Sequence, residues 1–184
     1  MSISMSINGV EKVKFEDFQL ELLKFLKPFW SRVISFDVET HVIGQGYLTN
    51  ERILAIGIAR RTSGDFMKEK GIEVKILWLE EDNEDAEIEL LRNFCRELSR
   101  IKPLGVIGYG IRQYDMPLMA IKKQRYEAEI KKFSEYWKLV DFVESTLPID
   151  LYHILKFKFK SIRRLEDVAN LDDAKKNLPL KKTK

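Results

Sequence analysis

Asp37 and Glu39 are the residues whose types and spacing point most directly to chemistry. They stand two apart in the largely apolar run Ile34-Ser35-Phe36-Asp37-Val38-Glu39-Thr40. In a strand, residues i and i+2 face the same side, so both carboxylates project together, about 7 Å apart by strand rise. Two like charges at the end of a buried strand are costly. A hard divalent cation such as Mg²⁺ or Mn²⁺ takes oxygen ligands and removes that cost. The plainer reading is a strand end whose two acids simply reach solvent.

A second group of candidates lies in Leu104-Gly105-Val106-Ile107-Gly108-Tyr109-Gly110-Ile111-Arg112-Gln113-Tyr114-Asp115-Met116-Pro117-Leu118. An apolar strand runs into a glycine-bearing turn, then an aromatic precedes an aspartate where a helix begins. Asp115 alone reads first as an N-cap, a role Asp often fills, and gains as a site residue only beside the Asp37/Glu39 pair. Arg112 and Gln113 lie in the turn, where a substrate phosphate is within their reach. Further on, Lys156-Phe157-Lys158-Phe159-Lys160 alternates base and aromatic, followed by Arg163 and Arg164. Stacking rings with cations suit single-stranded nucleic acid. The competing reading puts the two Phe in the core and the lysines in water. His41 and His153 have no ligand partner at helical spacing and read as structural or surface residues.

These residues need a scaffold, and the chain reads as alternating elements. Phe15, Phe18, Leu22 and Phe25 share one helical face, with Pro28 after the end. Val33–Glu39, Ile53–Ala59 and Ile72–Leu79 read as three strands joined by short connections, an antiparallel meander. Asp82 or Asn83 caps a long helix carrying Ile88, Leu91, Phe94, Cys95, Leu98 and Ile101 on one face, and Pro103 stops it. Leu104–Tyr109 is a fourth strand, reached through a helix and therefore parallel to its neighbour. A helix covers Met116–Lys123, and the stretch 125–143 is amphipathic, helical and peripheral. Ile149 opens a short fifth strand or a bend, Asp150 caps a helix from Leu151 to about Lys156, and Leu165–Asn170 is a last short helix.

Composition frames these readings. At 184 residues the chain fits one domain with a sizeable core. No apolar run reaches membrane-spanning length and no signal-peptide pattern opens the sequence, so a cytoplasmic location is expected. The single Cys95 excludes an internal disulfide and a cysteine-based zinc site. Net charge is +3, but residues 151–184 hold ten Lys/Arg against four Asp/Glu, leaving the rest of the chain acidic. An acidic body with a basic arm suits a metal site beside a polyanion-binding surface.

The order of strands 1-2-3, helix, strand 4, helix, strand 5, helix is that of a ribonuclease H-like α/β fold, a central mixed five-stranded sheet flanked by helices. Phe36-Asp37-Val38-Glu39-Thr40 resembles the first motif of the DEDD (DnaQ-like) 3′–5′ exonuclease superfamily. Gly108 to Leu118 resembles the second motif, in the form found in proofreading domains of family B DNA polymerases. Ile149-Asp150-Leu151-Tyr152-His153 and Arg164-Leu165-Glu166-Asp167-Val168-Ala169 are similar to later segments of that family. The resemblance spans about residues 33–170. The chain divides on this reading into residues 1–32 as a helical extension, 33–174 as the exonuclease-like domain and 175–184 as a basic, flexible tail. The resemblance implies Asp37, Glu39 and Asp115 as catalytic ligands of Mg²⁺ or Mn²⁺ in a two-metal site. Single-stranded DNA or RNA would be the substrate, bound by Arg112, Gln113, Lys156, Lys158, Lys160, Arg163 and Arg164. It also implies a DNA polymerase or a second subunit as partner, and no membrane.

Two features depart from the family pattern. Gly110 stands where relatives usually have Asn. The third motif, a Tyr or His four or five residues before a fourth aspartate, is absent. Asp172 and Asp173 are the last acids available as a substitute ligand. The expected activity is accordingly reduced, and the alternative is a catalytically degenerate module that binds nucleic acid or accompanies a polymerase.

Overall fold

A computed structural model describes residues 15–62 and 71–153. Helix α1 spans Phe15–Leu26 and passes through a 3₁₀ turn, Lys27–Arg32, into the first strand. The strands are β1 (Val33–Val42), β2 (Glu51–Arg61), β3 (Ile72–Trp78), β4 (Gly105–Gly108) and β5 (Leu147–Asp150). The helices after β3 are α2 (Glu84–Ile101), α3 (Asp115–Arg125), α4 (Glu127–Ile130) and α5 (Tyr136–Ser145). The sheet order is β3-β2-β1-β4-β5. The three N-terminal strands form an antiparallel meander, and β4 and β5 run parallel to β1. The expected mixed five-stranded sheet is therefore present. The expected helix at 165–170 and the tail lie outside the described residues.

Local chemistry explains the boundaries. Asn83 caps α2, its side chain accepting from the Ala86 N–H at 2.8 Å, with Glu84, Asp85 and Glu87 in the first turn. At the other end Lys102 adopts a left-handed conformation, φ 52°, and its N–H returns to the Leu98 carbonyl. Gly108 ends β4 where the chain turns sharply, because a Cβ there would collide with Ile111 and the Phe36 carbonyl.

Strand alternation sets the layers. Ile34, Phe36 and Val38 of β1 enter the main core beneath α2, α3 and α5, whereas Ser35, Asp37 and Glu39 are exposed on the opposite face. Part of that face is covered near β5 by a smaller cluster of Leu26, Val33 and Ile149. In the main core Phe36 stacks on Phe94 at 5.5 Å between centroids. Phe142 meets both rings edge-on, at 5.2 and 5.3 Å. Each such pair contributes about 0.5–1.5 kcal/mol beyond area burial. The expectation of a peripheral 125–143 stretch therefore fails for its second half. Its pattern is amphipathic, but Leu139 and Phe142 of α5 are fully buried at the centre.

Candidate active site

The carboxyl-terminal ends of β1, β4 and β5 point to the same end of the sheet. Of β1, only Val33 to Ser35 pair with β4. Beyond Ser35 the edge of β1 that faced β4 is open, and the loop after β4 swings into it. Asp115, the first residue of α3, fills this place. Its Oδ1 accepts the Val38 N–H at 2.9 Å, and the residue is 4% exposed. The N-cap reading of Asp115 thus gives way: Tyr114 occupies the cap position, and the Asp115 carboxylate is bound to β1 between Asp37 and Glu39.

The electrostatics follow from that placement. Burial pushes the Asp115 carboxyl up from 3.8 to about 6, the Val38 N–H pulls against this, and the charges of Asp37 and Asp150 push further. Glu39 is exposed, on the same face of β1 as Asp37. The β1–β2 register shifts between Glu39 and Thr40, a bulge beside these acids. Bulges frequently occur next to active sites, where they redirect side chains. The donors available here are carboxylate oxygens, the set that suits a hard divalent cation. Yet among the described residues no group of three or more His, Cys, Asp and Glu side chains is disposed to hold a metal ion.

Two buried acids that sequence reasoning left without a role at the site hold the loop that carries Asp115. Asp150, at the end of β5, is 0% exposed. It does accept from the Tyr152 N–H at 3.0 Å, as a cap of the following turn should. It also accepts from the Gly110 N–H at 2.8 Å and the Arg112 N–H at 3.2 Å, tying the loop to β5. Gly110 has φ +75°, a conformation Gly and Asn tolerate best. The departure from Asn at this position therefore preserves the turn.

Glu51, at the start of β2, accepts from the Leu48 N–H at 3.0 Å and the Thr40 hydroxyl at 2.8 Å. It also receives the Tyr114 hydroxyl. That bond, the Leu48 N–H, Thr40 and the Lys122 charge hold its carboxyl below the usual range despite burial. Burial and Glu51 together push Tyr114 up to about 12, so it is a neutral donor. The sequence signals were an acid opening an apolar strand and an acid closing one, and neither has a motif of its own.

Behind this cluster lies a buried ion pair. Lys122 and Glu87 are both 0% exposed, with Nζ 2.6 Å from Oε1. Glu87 also receives the Ile53 N–H at 2.8 Å and the Tyr126 hydroxyl at 2.5 Å, while Lys122 Nζ donates to the Glu51 carbonyl at 2.5 Å. The pair thus fixes α2 and α3 to the first residues of β2, Glu51 and Ile53. Of the other expected site residues, Arg112 and Gln113 are exposed on the loop, and Tyr47 leans its hydroxyl toward the Gln113 carbonyl at 3.5 Å. Lys156, Lys158, Lys160, Arg163, Arg164, Asp172 and Asp173 lie outside the described residues.

A mixed sheet of this order, with acids on β1 and at the start of α3, is the ribonuclease H-like fold of DnaQ-like exonucleases. The family profile described as DNA polymerase family B, exonuclease domain, matches residues 27–163, and the chain belongs to that family. Among solved structures the chain is similar to the family B DNA polymerase of the hyperthermophilic archaeon Pyrobaculum calidifontis. The two share 16% identity with a TM-score of 0.52, over 76% of this chain and 18% of that one. The chain thus spans about a fifth of the polymerase it matches. No curated protein matches it. No helix among the described residues is long and apolar enough to cross a membrane.

Proposed function

We propose that this protein is a metal-dependent 3′–5′ exonuclease acting on single-stranded DNA or RNA in the cytoplasm. Asp37, Glu39 and Asp115 would hold Mg²⁺ or Mn²⁺. The observation that supports this best is the bond from the Val38 N–H to Asp115 Oδ1, which seats the acid of the second motif against the strand that carries the first. Bound divalent ions supply Lewis acidity and a more acidic attacking water in phosphodiester hydrolysis.

The chain's own residues do the positioning. Asp150 holds the loop from Gly110 to Arg112, and Glu51 with Thr40 holds Tyr114, so Asp115 is fixed from both sides. Arg112 and Gln113 stand exposed where a phosphate would approach. The basic stretch from Lys156 to Arg164 would carry the rest of the strand. Asp172 or Asp173, a second subunit or a DNA polymerase partner would supply the fourth acid, and without it activity is low.

A second reading, a non-catalytic module that binds nucleic acid or accompanies a polymerase, is favoured by the lack of a ready-made three-ligand group among the described residues. Time-resolved laddering of 5′-labelled single strands, DNA and RNA, in Mg²⁺ and in Mn²⁺ separates the two. The exonuclease gives a stepwise ladder that Asp37→Ala abolishes. Identical traces from the two proteins leave the binding module standing.

A further inference from the structure

Strand β3 is an edge of the sheet, and among the described residues no strand lies beyond it. Its backbone alternation can be read from its ends. The Thr62 N–H donates to the Gly71 carbonyl at 2.6 Å, and the Leu79 N–H donates to the Leu54 carbonyl at 2.8 Å. In an antiparallel ladder alternate residues turn their N–H and C=O toward one neighbour. Positions 71, 73, 75, 77 and 79 therefore bond toward β2, and Ile72, Val74, Ile76 and Trp78 aim theirs outward. These same four residues are large, apolar and exposed, from 48% at Ile76 to 66% at Trp78.

Protein edges are ordinarily blunted by proline, bulges, short strands or outward charges. Over Ile72 to Trp78 this edge carries neither proline nor bulge. Its two charges, Glu73 and Lys75, flank Val74 and lie on the other face. Glu73 pairs with Arg60 and Arg100, each at 2.7 Å, and Lys75 pairs with Glu97.

We propose that β3 is the contact of a two-fold dimer, in which a second copy of this chain adds its β3 antiparallel, centred on Val74. The charge pattern selects that partner and that register. With Val74 opposite Val74, Glu73 faces Lys75 of the second copy and Lys75 faces its Glu73, while Ile72 faces Ile76. Sliding one strand by two residues places Glu73 opposite Glu73, or Lys75 opposite Lys75. Like charges directly opposite each other on a sheet are destabilising, whereas opposite charges and β-branched pairs stabilise. In the chosen register Ile72, Val74 and Ile76 are all hydrogen-bonding positions, so the outward backbone groups of both strands are satisfied together. A self-complementary patch of this kind is what an isologous interface requires. The result is a continuous ten-stranded sheet whose two candidate sites are related by the two-fold axis.

Sedimentation and light scattering of the full chain, from micromolar to near-millimolar, test this. The wild type should pass from monomer to dimer with rising concentration. Val74→Lys opposes two ammonium groups on the axis and should weaken dimerisation by about tenfold or more. Val74→Pro removes an outward N–H, which an edge strand tolerates in the monomer, and should abolish the dimer. Hydrogen exchange keeps the proposal falsifiable should a variant not fold. In the wild type the amides of Ile72, Val74 and Ile76 should slow as concentration rises, while those of β5 do not change. A wild type that stays monomeric throughout overturns the proposal. So does a dimer that both folded variants retain, or one whose β3 amides exchange equally fast at every concentration.

Discussion

Asp150→Asn is the most informative single change because it alters one atom of a fully buried acceptor and nothing of its shape. The carboxylate receives three backbone donors, Gly110 and Tyr152 on Oδ1 and Arg112 on Oδ2. Hydrogen bonds to a charged acceptor contribute about 1.5–3 kcal/mol each, neutral ones about 0.5–1.5. With the amide oxygen placed at Oδ1, two bonds survive in weaker form, together losing about 2 kcal/mol. The amide NH₂ then faces the Arg112 N–H, donor against donor, and a buried unsatisfied donor costs about 1–3 kcal/mol. Flipping the amide is worse, since two donors would then face the NH₂.

Relief of repulsion with Asp115 and of the desolvation of one charge offsets part of this. The net expectation is about 2–4 kcal/mol of lost stability, or about 5–15 °C in Tm for a chain of this size. The loss should be centred on the loop, so the Gly110 and Arg112 amides should exchange faster than those of α2 by a larger factor than global destabilisation explains. Thermal melts and exchange measured by mass spectrometry read both. A variant melting within about 2 °C of wild type, with loop amides unchanged, would refute the claim that Asp150 fixes the loop carrying Asp115.

Three further outcomes follow from the same geometry. Lys122→Met leaves Glu87 charged and buried, so it should cost about 3–5 kcal/mol by urea unfolding, with the double variant Lys122→Met/Glu87→Gln recovering part of the loss. Glu51 has a folded pKa below its ordinary 4.5, chiefly through the Tyr114 hydroxyl. Its stabilisation is therefore complete above the unfolded value and lost as pH falls through the folded one. The stability gap between wild type and Glu51→Gln should be constant above about pH 5.5 and close at lower pH. Millimolar Mn²⁺ should raise the wild-type Tm by linkage, and Asp37→Ala should remove that shift. Equal shifts in both proteins would place the ion elsewhere.

The parts of this molecule legible in its sequence are those that periodicity and motif encode locally. The meander, the Asn83 cap and the apolar stripe of α2 follow from residue spacing. The parallel arrangement of β4 follows from the helix that separates it from the meander. What escaped was long-range pairing of polar atoms. Asp150 reads as a cap because its contact two residues away is visible in sequence, whereas those forty and thirty-eight residues back, to Gly110 and Arg112, are not. Lys122 and Glu87 look like ordinary solvated helix residues, because a charge on an amphipathic helix is ambiguous until a partner thirty-five positions away neutralises it. The peripheral reading of 125–143 failed for a related reason. Amphipathicity says that one face is apolar but not how deep that face lies, and the depth of α5 comes from Phe142 closing the Phe36–Phe94 stack. The candidate site combines both kinds of information. Asp37, Glu39 and Asp115 carry motif identity that can be read in one dimension. The bonds that bring Asp115 to β1 come from the backbone of Val38 and from acids with no motif, and these exist only once the sheet has formed.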